Sequence, residues 1–293
     1  LGAEPLRNPL GTAPGVWWED PPGYPGRVVI VLPGVPREMQ RLWEDHVEPR
    51  LRSRSGTVVH RLRMVVAGVP ESTLDEKTHE LRARHGELEW TILASLTQVE
   101  LQARHSDPAA LAAAEGELRD LLGKDLVCVG EGDLEDAVLH ALEARGETVA
   151  LAESMTGGLL AARLTAIPGA SAVLKGSAVV YTPIAKIALA GLDPALLAEH
   201  GTLGKVITLA LARGVRTRLD ATWGLAGTGN AGPTVDAAAP DSALGSTTVA
   251  LVGPGLEEAV TFTIPGDRTD IQLRAAARAL DLLRRKLGQV LAQ

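Results

Sequence analysis

The 293-residue chain has little cysteine, few aromatics and no surplus of positive charge. Its single cysteine, Cys128, excludes an internal disulfide and any zinc site built from several cysteines. A reducing cytoplasm is the compartment this usage fits. Seven histidines (His46, His60, His79, His85, His105, His140 and His200) include no HxH or HxxxH pair, so no histidine metal site is expected. Lys and Arg total 29 against 36 Asp and Glu, a net charge of -7, which argues against non-specific nucleic-acid binding. No apolar run approaches the roughly 18 residues needed to cross a bilayer. What is plentiful is ordinary: 45% hydrophobic and 22% charged residues are the composition of a globular protein rather than a disordered one. The chain opens in a Pro/Gly-rich stretch, LGAEPLRNPLGTAPG, without the charged-then-apolar pattern of a secretory leader. A domain rarely begins so, and the expectation is that an N-terminal piece is missing.

The pattern divides into three parts. Residues 1–26 read as loop, because Pro5, Pro9, Pro14, Pro21, Pro22 and Pro25 interrupt any regular element. RVVIVLP (27–33) then reads as a short buried strand. Met39, Leu42, Trp43 and Val47 fall at helical spacing after Pro36. Residues 57–130 read β-α-β-β-α-β, the order of a split βαβ domain. From 131 onward helices and strands alternate, which predicts a mixed sheet covered by helices on both faces, a three-layer α/β/α arrangement. The expected boundaries are 1–52, 53–130 and 131–293.

Three segments place polar residues where strands should end, the usual position of ligands in α/β sheets. In ALAESMTGGLLAARL a strand stops at Glu153, and Ser154, Met155 and Thr156 lead into Gly157-Gly158 and a helix. Free N–H groups at that helix start suit a phosphate or an oxyanion, or else Ser154 or Thr156 simply caps the helix. In VVYTPIAKIAL, Tyr181 ends a strand and Lys186 follows one helical turn on. Lys186 is either a desolvated base for a serine or a surface lysine. In GLAGTGNAGP, Thr228 and Gly229 form either a ligand-contacting turn or a plain one. Arg268 sits where Asp267 starts the last helix and could clamp an anion. Arg284, Arg285 and Lys286 read as a solvated helix end.

Taken in order, AESMTGGLLAARLTAIPGASAVLKGS (152–177), VVYTPIAKIALAGLDPALLAEHG (179–201), LAGTGNAGP (225–233) and GDRTDIQLRAAARAL (266–280) resemble the CinA family of competence/damage-inducible proteins. RNPLGTAPG (7–15) and VIVLPGVPREM (29–39) look like the end of that family's molybdopterin-binding-like N-terminal domain. The resemblance implies a remnant of that α/β domain, a small α+β middle domain and a C-terminal amidase-like domain. It implies hydrolysis of nicotinamide mononucleotide to nicotinic acid mononucleotide and ammonia, without metal or cofactor. By the resemblance, Ser154 is the nucleophile, Lys186 the base and Tyr181 its assistant. Thr156, Gly157, Gly158, Thr228, Gly229 and Arg268 contact the substrate. The same likeness implies a cytoplasmic homodimer with no membrane or specific nucleic-acid partner. ADP-ribose pyrophosphatase activity is not expected, since the early glycine-rich anion loop of the family's first domain does not occur here. The motifs also depart from the family: Met155 replaces a cysteine, Thr182-Pro183 a Ser-Asn, Gly204 a serine and Asn230 an isoleucine, and TVDAAAPDSALGS (234–246) lacks the usual glycine/proline pattern. An inactive, nucleotide-binding or scaffolding member is the alternative reading.

Overall fold

The computed structural model describes residues 2–56, 58–234, 243–288 and 291–292. The chain forms two compact units, Leu1–His60 and Arg61–Gln293.

In the first unit β1 (Ala3–Leu6), β2 (Gly15–Glu19) and β3 (Val28–Val31) make an antiparallel meander in sequential order. The loop expected over residues 1–26 is therefore corrected. Pro5 lies in an edge strand, where the missing N–H costs no ladder bond, and the other prolines fall in the connections. Nor is 27–33 buried throughout: Val29 and Val31 are exposed, while Val28 and Ile30 pack on a core of Leu6, Trp17, Leu42 and Val47. An edge strand over a small core buries one face only. Helix α1 (Pro36–Leu42) passes through a π-helical turn at Trp43–Val47 into α2 (Glu48–Arg54). The π turn shifts the helical phase, so Leu42 and Val47 face inward while Met39 and Trp43 stay exposed.

The second unit begins with β4 (His60–Val66), α3 (Glu71–Arg84), β5 (Glu89–Ala94), β6 (Val99–His105), α4 (Pro108–Leu122) and β7 (Leu126–Val129). Asp107 caps α4 by accepting from the Ala109 N–H at 2.9 Å. Met64, Leu74, Leu101, Leu118 and Leu122 fill the space between sheet and helices. There follow α5 (Leu134–Arg145), β8 (Val149–Glu153), α6 (Leu159–Thr165), β9 (Leu174–Val179), α7 (Pro183–Ala190), α8 (Pro194–His200), α9 (Lys205–Arg218), β10 (Trp223–Gly229), β11 (Ser246–Gly253), β12 (Leu256–Thr263) and α10 (Arg268–Leu287). A last short strand, β13 (Leu291–Ala292), returns to pair with β7 and completes the small sheet in the order β13-β7-β4-β6-β5.

The larger sheet runs β12-β11-β10-β8-β9, parallel across β10, β8 and β9 and antiparallel across β10, β11 and β12. Alternate residues of its strands point to opposite faces. Val149, Leu151, Leu225, Val249 and Leu251 pack with residues of α5, α6 and α10, whereas Ala150, Ala152, Ala226 and Ala250 pack with α7, α8 and α9. This is the expected mixed α/β sheet with helices on both sides. No helix among the described residues is long and apolar enough to span a membrane.

The end of α10 is not solvated. Arg284 is buried and donates to the carbonyls of Leu126 (2.8 Å) and Lys124 (2.7 Å) and to Asp281. Arg285 reaches Asp281, Asp125 and the Ala67 carbonyl, and Lys286 pairs with Glu258. Beside Asp281 of the same helix, the partners come from sequence-distant strands and turns. A further buried cation, Arg63, joins β4 to Glu100 on β6 at 2.7 Å and to Asp133 at the start of α5 at 2.8 Å.

Arg284→Ala is expected to cost about 3 kcal/mol or more in urea unfolding, because Asp281 loses a buried partner. Arg213→Ala, which breaks a half-exposed pair with Glu257, should cost under about 1 kcal/mol. Acid should weaken the unit as well. Arg63 holds the Glu100 carboxyl below its ordinary value. Burial pushes the Asp125 carboxyl up, but Lys77 and Arg285 outweigh it and leave the group lowered. Carboxyls lowered by folding stabilise above their unfolded values, near 4.5 and 3.8, and lose that contribution as pH falls through the folded ones. Urea midpoints should therefore hold between about pH 6 and 8 and fall below about pH 4.5.

Candidate functional site

The carboxyl ends of β8, β9 and β10 lie side by side, with Glu153 in register with Val179 on one flank and Gly227 on the other. The next residues of each strand form the site. Ser154 is buried, and its Oγ accepts a hydrogen bond from Lys186 Nζ at 3.1 Å. The same Nζ donates to the Val180 carbonyl at 2.9 Å. Lys186 is only 1% exposed, so the surface-lysine reading is set aside. Local sequence puts it there. Thr182 caps α7 by accepting from the Ala185 N–H at 3.2 Å, and Pro183 occupies the first helical position. A proline there forfeits no intrahelical bond, so the departure Thr182-Pro183 leaves the helix start intact.

Tyr181 follows Val180 directly in the chain. It is 57% exposed, and its hydroxyl accepts from Arg268 Nη2 at 2.8 Å. Arg268 Nη1 donates to the Gly232 carbonyl at 2.6 Å. Tyr181 and Arg268 thus form an exposed pair, whereas Ser154 and Lys186 are buried.

The helix start after Ser154 is not open to an anion as expected. The fully buried Glu153 carboxylate fills it: Oε2 accepts from Thr156 Oγ1 (3.0 Å), Gly158 N (3.0 Å) and Leu160 N (2.9 Å). Its Oε1 accepts from Ala161 N (3.0 Å) and Ser177 Oγ (2.8 Å). The sequence reading used Glu153 only as the end of a strand. The available signal was a carboxylate four residues before a Gly-Gly helix entry, close enough to satisfy the orphan N–H groups of the first turn. The turn itself requires glycine, with φ of 62° at Gly157 and 105° at Gly158. Thr156, Gly157 and Gly158 also edge a shallow cavity of about 410 Å³ that faces Thr269 and Gln272 of α10.

Thr228 is fully buried, its hydroxyl 2.7 Å from that of Thr208. Thr208 donates its one proton to the Gly204 carbonyl at 2.6 Å, so Thr228 donates to Thr208. Contact between Thr228 and an oxyanion would need this bond to break. The other departures have structural accommodations. Met155 packs among Ala231, Ile264, Ile271 and Ala275, beside Gly229, and its carbonyl accepts from Gln272 at 2.6 Å. Gly204 has φ of 94°, a conformation a serine rarely adopts. Asn230 Oδ1 accepts from the Gly232 N–H at 3.2 Å and holds the turn. Residues 235–242 of the divergent TVDAAAPDSALGS stretch lie outside the described residues. No group of three or more His, Cys, Asp or Glu converges among the described residues.

A mixed sheet between two helical layers, with a serine and a buried lysine at its parallel strand ends, defines the class: a three-layer α/β protein with a Ser–Lys pair. Residues 131–287 match the CinA C-terminal domain. CinA-like proteins of Gloeobacter violaceus and Frankia casuarinae are 38% and 39% identical, each over 98% of this chain and over 68% and 67% of their own lengths. The crystal structure of the competence damage-inducible protein A (ComA) of Klebsiella pneumoniae superposes with a TM-score of 0.51 at 28% identity, covering 53% of this chain and 96% of that one. The chain belongs to the CinA family.

Glu153→Ala should be among the most destabilising single changes in the unit, about 3 kcal/mol or more by chemical denaturation, since buried donors lose their acceptor. Ser177→Ala, which removes one donor, should cost about 1 kcal/mol.

Proposed function

We propose that the chain hydrolyses the carboxamide of nicotinamide mononucleotide, releasing ammonia and nicotinic acid mononucleotide. The observation that supports this best is the 3.1 Å hydrogen bond between Lys186 Nζ and Ser154 Oγ in a buried setting. An amide is a poor electrophile and needs an activated hydroxyl. In this reading an uncharged Lys186 takes the Ser154 proton as Oγ bonds to the carboxamide carbon. The tetrahedral intermediate collapses as Lys186 returns the proton to the departing nitrogen, which leaves as ammonia. Water, deprotonated by the same amine, then cleaves the acyl-serine ester and restores Ser154. The Val180 carbonyl keeps the amine aimed at Ser154 throughout. Arg268, at the exposed rim with Tyr181, holds the nucleotide phosphate. Tyr181 serves this outer cluster rather than the buried proton transfer. A cytoplasmic homodimer is the state we assign to the working protein, on the family resemblance.

The engaged hydroxyl of Thr228 and the Glu153-filled helix start favour a second reading, a member that binds the nucleotide without turning it over. An ammonia assay with nicotinamide mononucleotide, paired with calorimetric titration, separates the two. The amidase reading expects ammonia release that Ser154→Ala abolishes while nucleotide binding persists. Lys186→Met should lower kcat at least about a thousandfold. Arg268→Ala should act mainly on KM, raising it about tenfold or more. Saturable binding without ammonia from the unaltered chain would establish the non-catalytic reading.

A further inference from the structure

A cleft of about 370 Å³ opens within the second unit, between the small sheet and α10. Its walls are the loop after β4, the tip of the β5–β6 hairpin, the end of β12 and one face of α10. It contains neither Ser154 nor Lys186. Its volume lies in the range of small-molecule sites, and clefts between packed subdomains are where such sites concentrate.

Two arginines and two carboxylates, Glu71 and Asp281, line the cleft. Arg274 and Arg278 stand one turn apart on α10 and both line it. Like charges at that spacing repel by a few tenths of a kcal/mol unless something lies between them. Among the described residues Arg274 has no hydrogen-bond or ion-pair partner. Arg278 is steadied by the Gly68 carbonyl at 3.1 Å and by the ring of Phe262, 5.9 Å from its guanidinium carbon. Asp281, one turn beyond Arg278, is engaged by Arg284 and Arg285, and Asp270, one turn before Arg274, is not among the lining residues. Glu71, on the facing wall, pairs with neither arginine. Phe262 is the only phenylalanine of the chain, and with Ile264 it gives the cleft an apolar floor.

We infer that this cleft binds a small organic anion with a flat apolar body, its carboxylate or phosphate on Arg274 and Arg278 and its ring against Phe262. Guanidinium groups take either anion in the same forked geometry. The site is independent of the amidase reading.

Amide chemical-shift titration of the full chain tests it with phenyl phosphate, benzoate, inorganic phosphate and benzyl alcohol. Phenyl phosphate or benzoate should move the Gly68, Leu96 and Ile264 amides saturably, and whichever acts identifies the anion. Inorganic phosphate should bind more weakly, and benzyl alcohol should leave these amides unmoved. Arg274→Ala, at a half-exposed residue without a partner among the described residues, should keep the native spectrum and weaken binding about tenfold. Ser154→Ala should bind as the unaltered chain does. The inference is overturned if both aromatic anions leave these amides unmoved to about 10 mM. It is equally overturned if inorganic phosphate or benzyl alcohol binds as tightly, or if Arg274→Ala changes nothing.

Discussion

The arrangement around Ser154 depends on one buried carboxylate. Glu153 sits at the tip of a central parallel strand, and its two oxygens collect donors from the turn, the first turn of α6 and β9. A buried carboxylate is tolerable only when its hydrogen-bonding capacity is met, and here backbone N–H groups and two hydroxyls meet it. The consequence reaches the next residue. With Glu153 fixed on one side of the strand, the alternation of β geometry aims Ser154 at the other, where α7 delivers Lys186. The serine–lysine contact is thus built on a pinned backbone.

Helix α10 integrates the second unit in a comparable way. Its N-terminal residue Arg268 meets Tyr181, its middle packs under the large sheet, and its last turns bring Arg284 and Arg285 to the carbonyls of Leu126 and Ala67 beside the small sheet. One element therefore touches the rim of the candidate site, the cleft lined by Arg274 and Arg278, and the neighbouring sheet. The buried cation–carboxylate network at its end specifies where the helix stops relative to β7, which a purely apolar contact would fix less sharply.

Much of this was legible from residue order. The α/β alternation, the β-α-β-β-α-β block, the start of the last helix at Asp267 and the place of Ser154 at a strand end all follow from local periodicity and turn chemistry. What was not legible depends on partners distant in sequence. Nothing near Arg284 announces that the carbonyls of Lys124 and Leu126 will meet it. The strands β1 and β2 hid behind prolines that an edge position tolerates, and the outward faces of Val29 and Val31 reflect a three-stranded sheet too small to cover both sides. Glu153 was visible as a residue but not as a cap, because its donors come from both local turns and Ser177 on another strand. Thr228 was placed at the right strand end, yet its proton goes to Thr208, a pairing only the packing of α9 creates.

The two faces of the large sheet differ in kind. Toward α5, α6 and α10 the strands offer branched side chains, and toward α9 they offer mostly alanine. Methyl-sized contacts let a helix settle close to the backbone and leave almost no slack there. Mutational drift should therefore be lopsided: the branched face can exchange valine, leucine and isoleucine by compensating repacking, whereas the alanine face admits neither growth nor loss without displacing α9, and with it the threonine that holds Thr228.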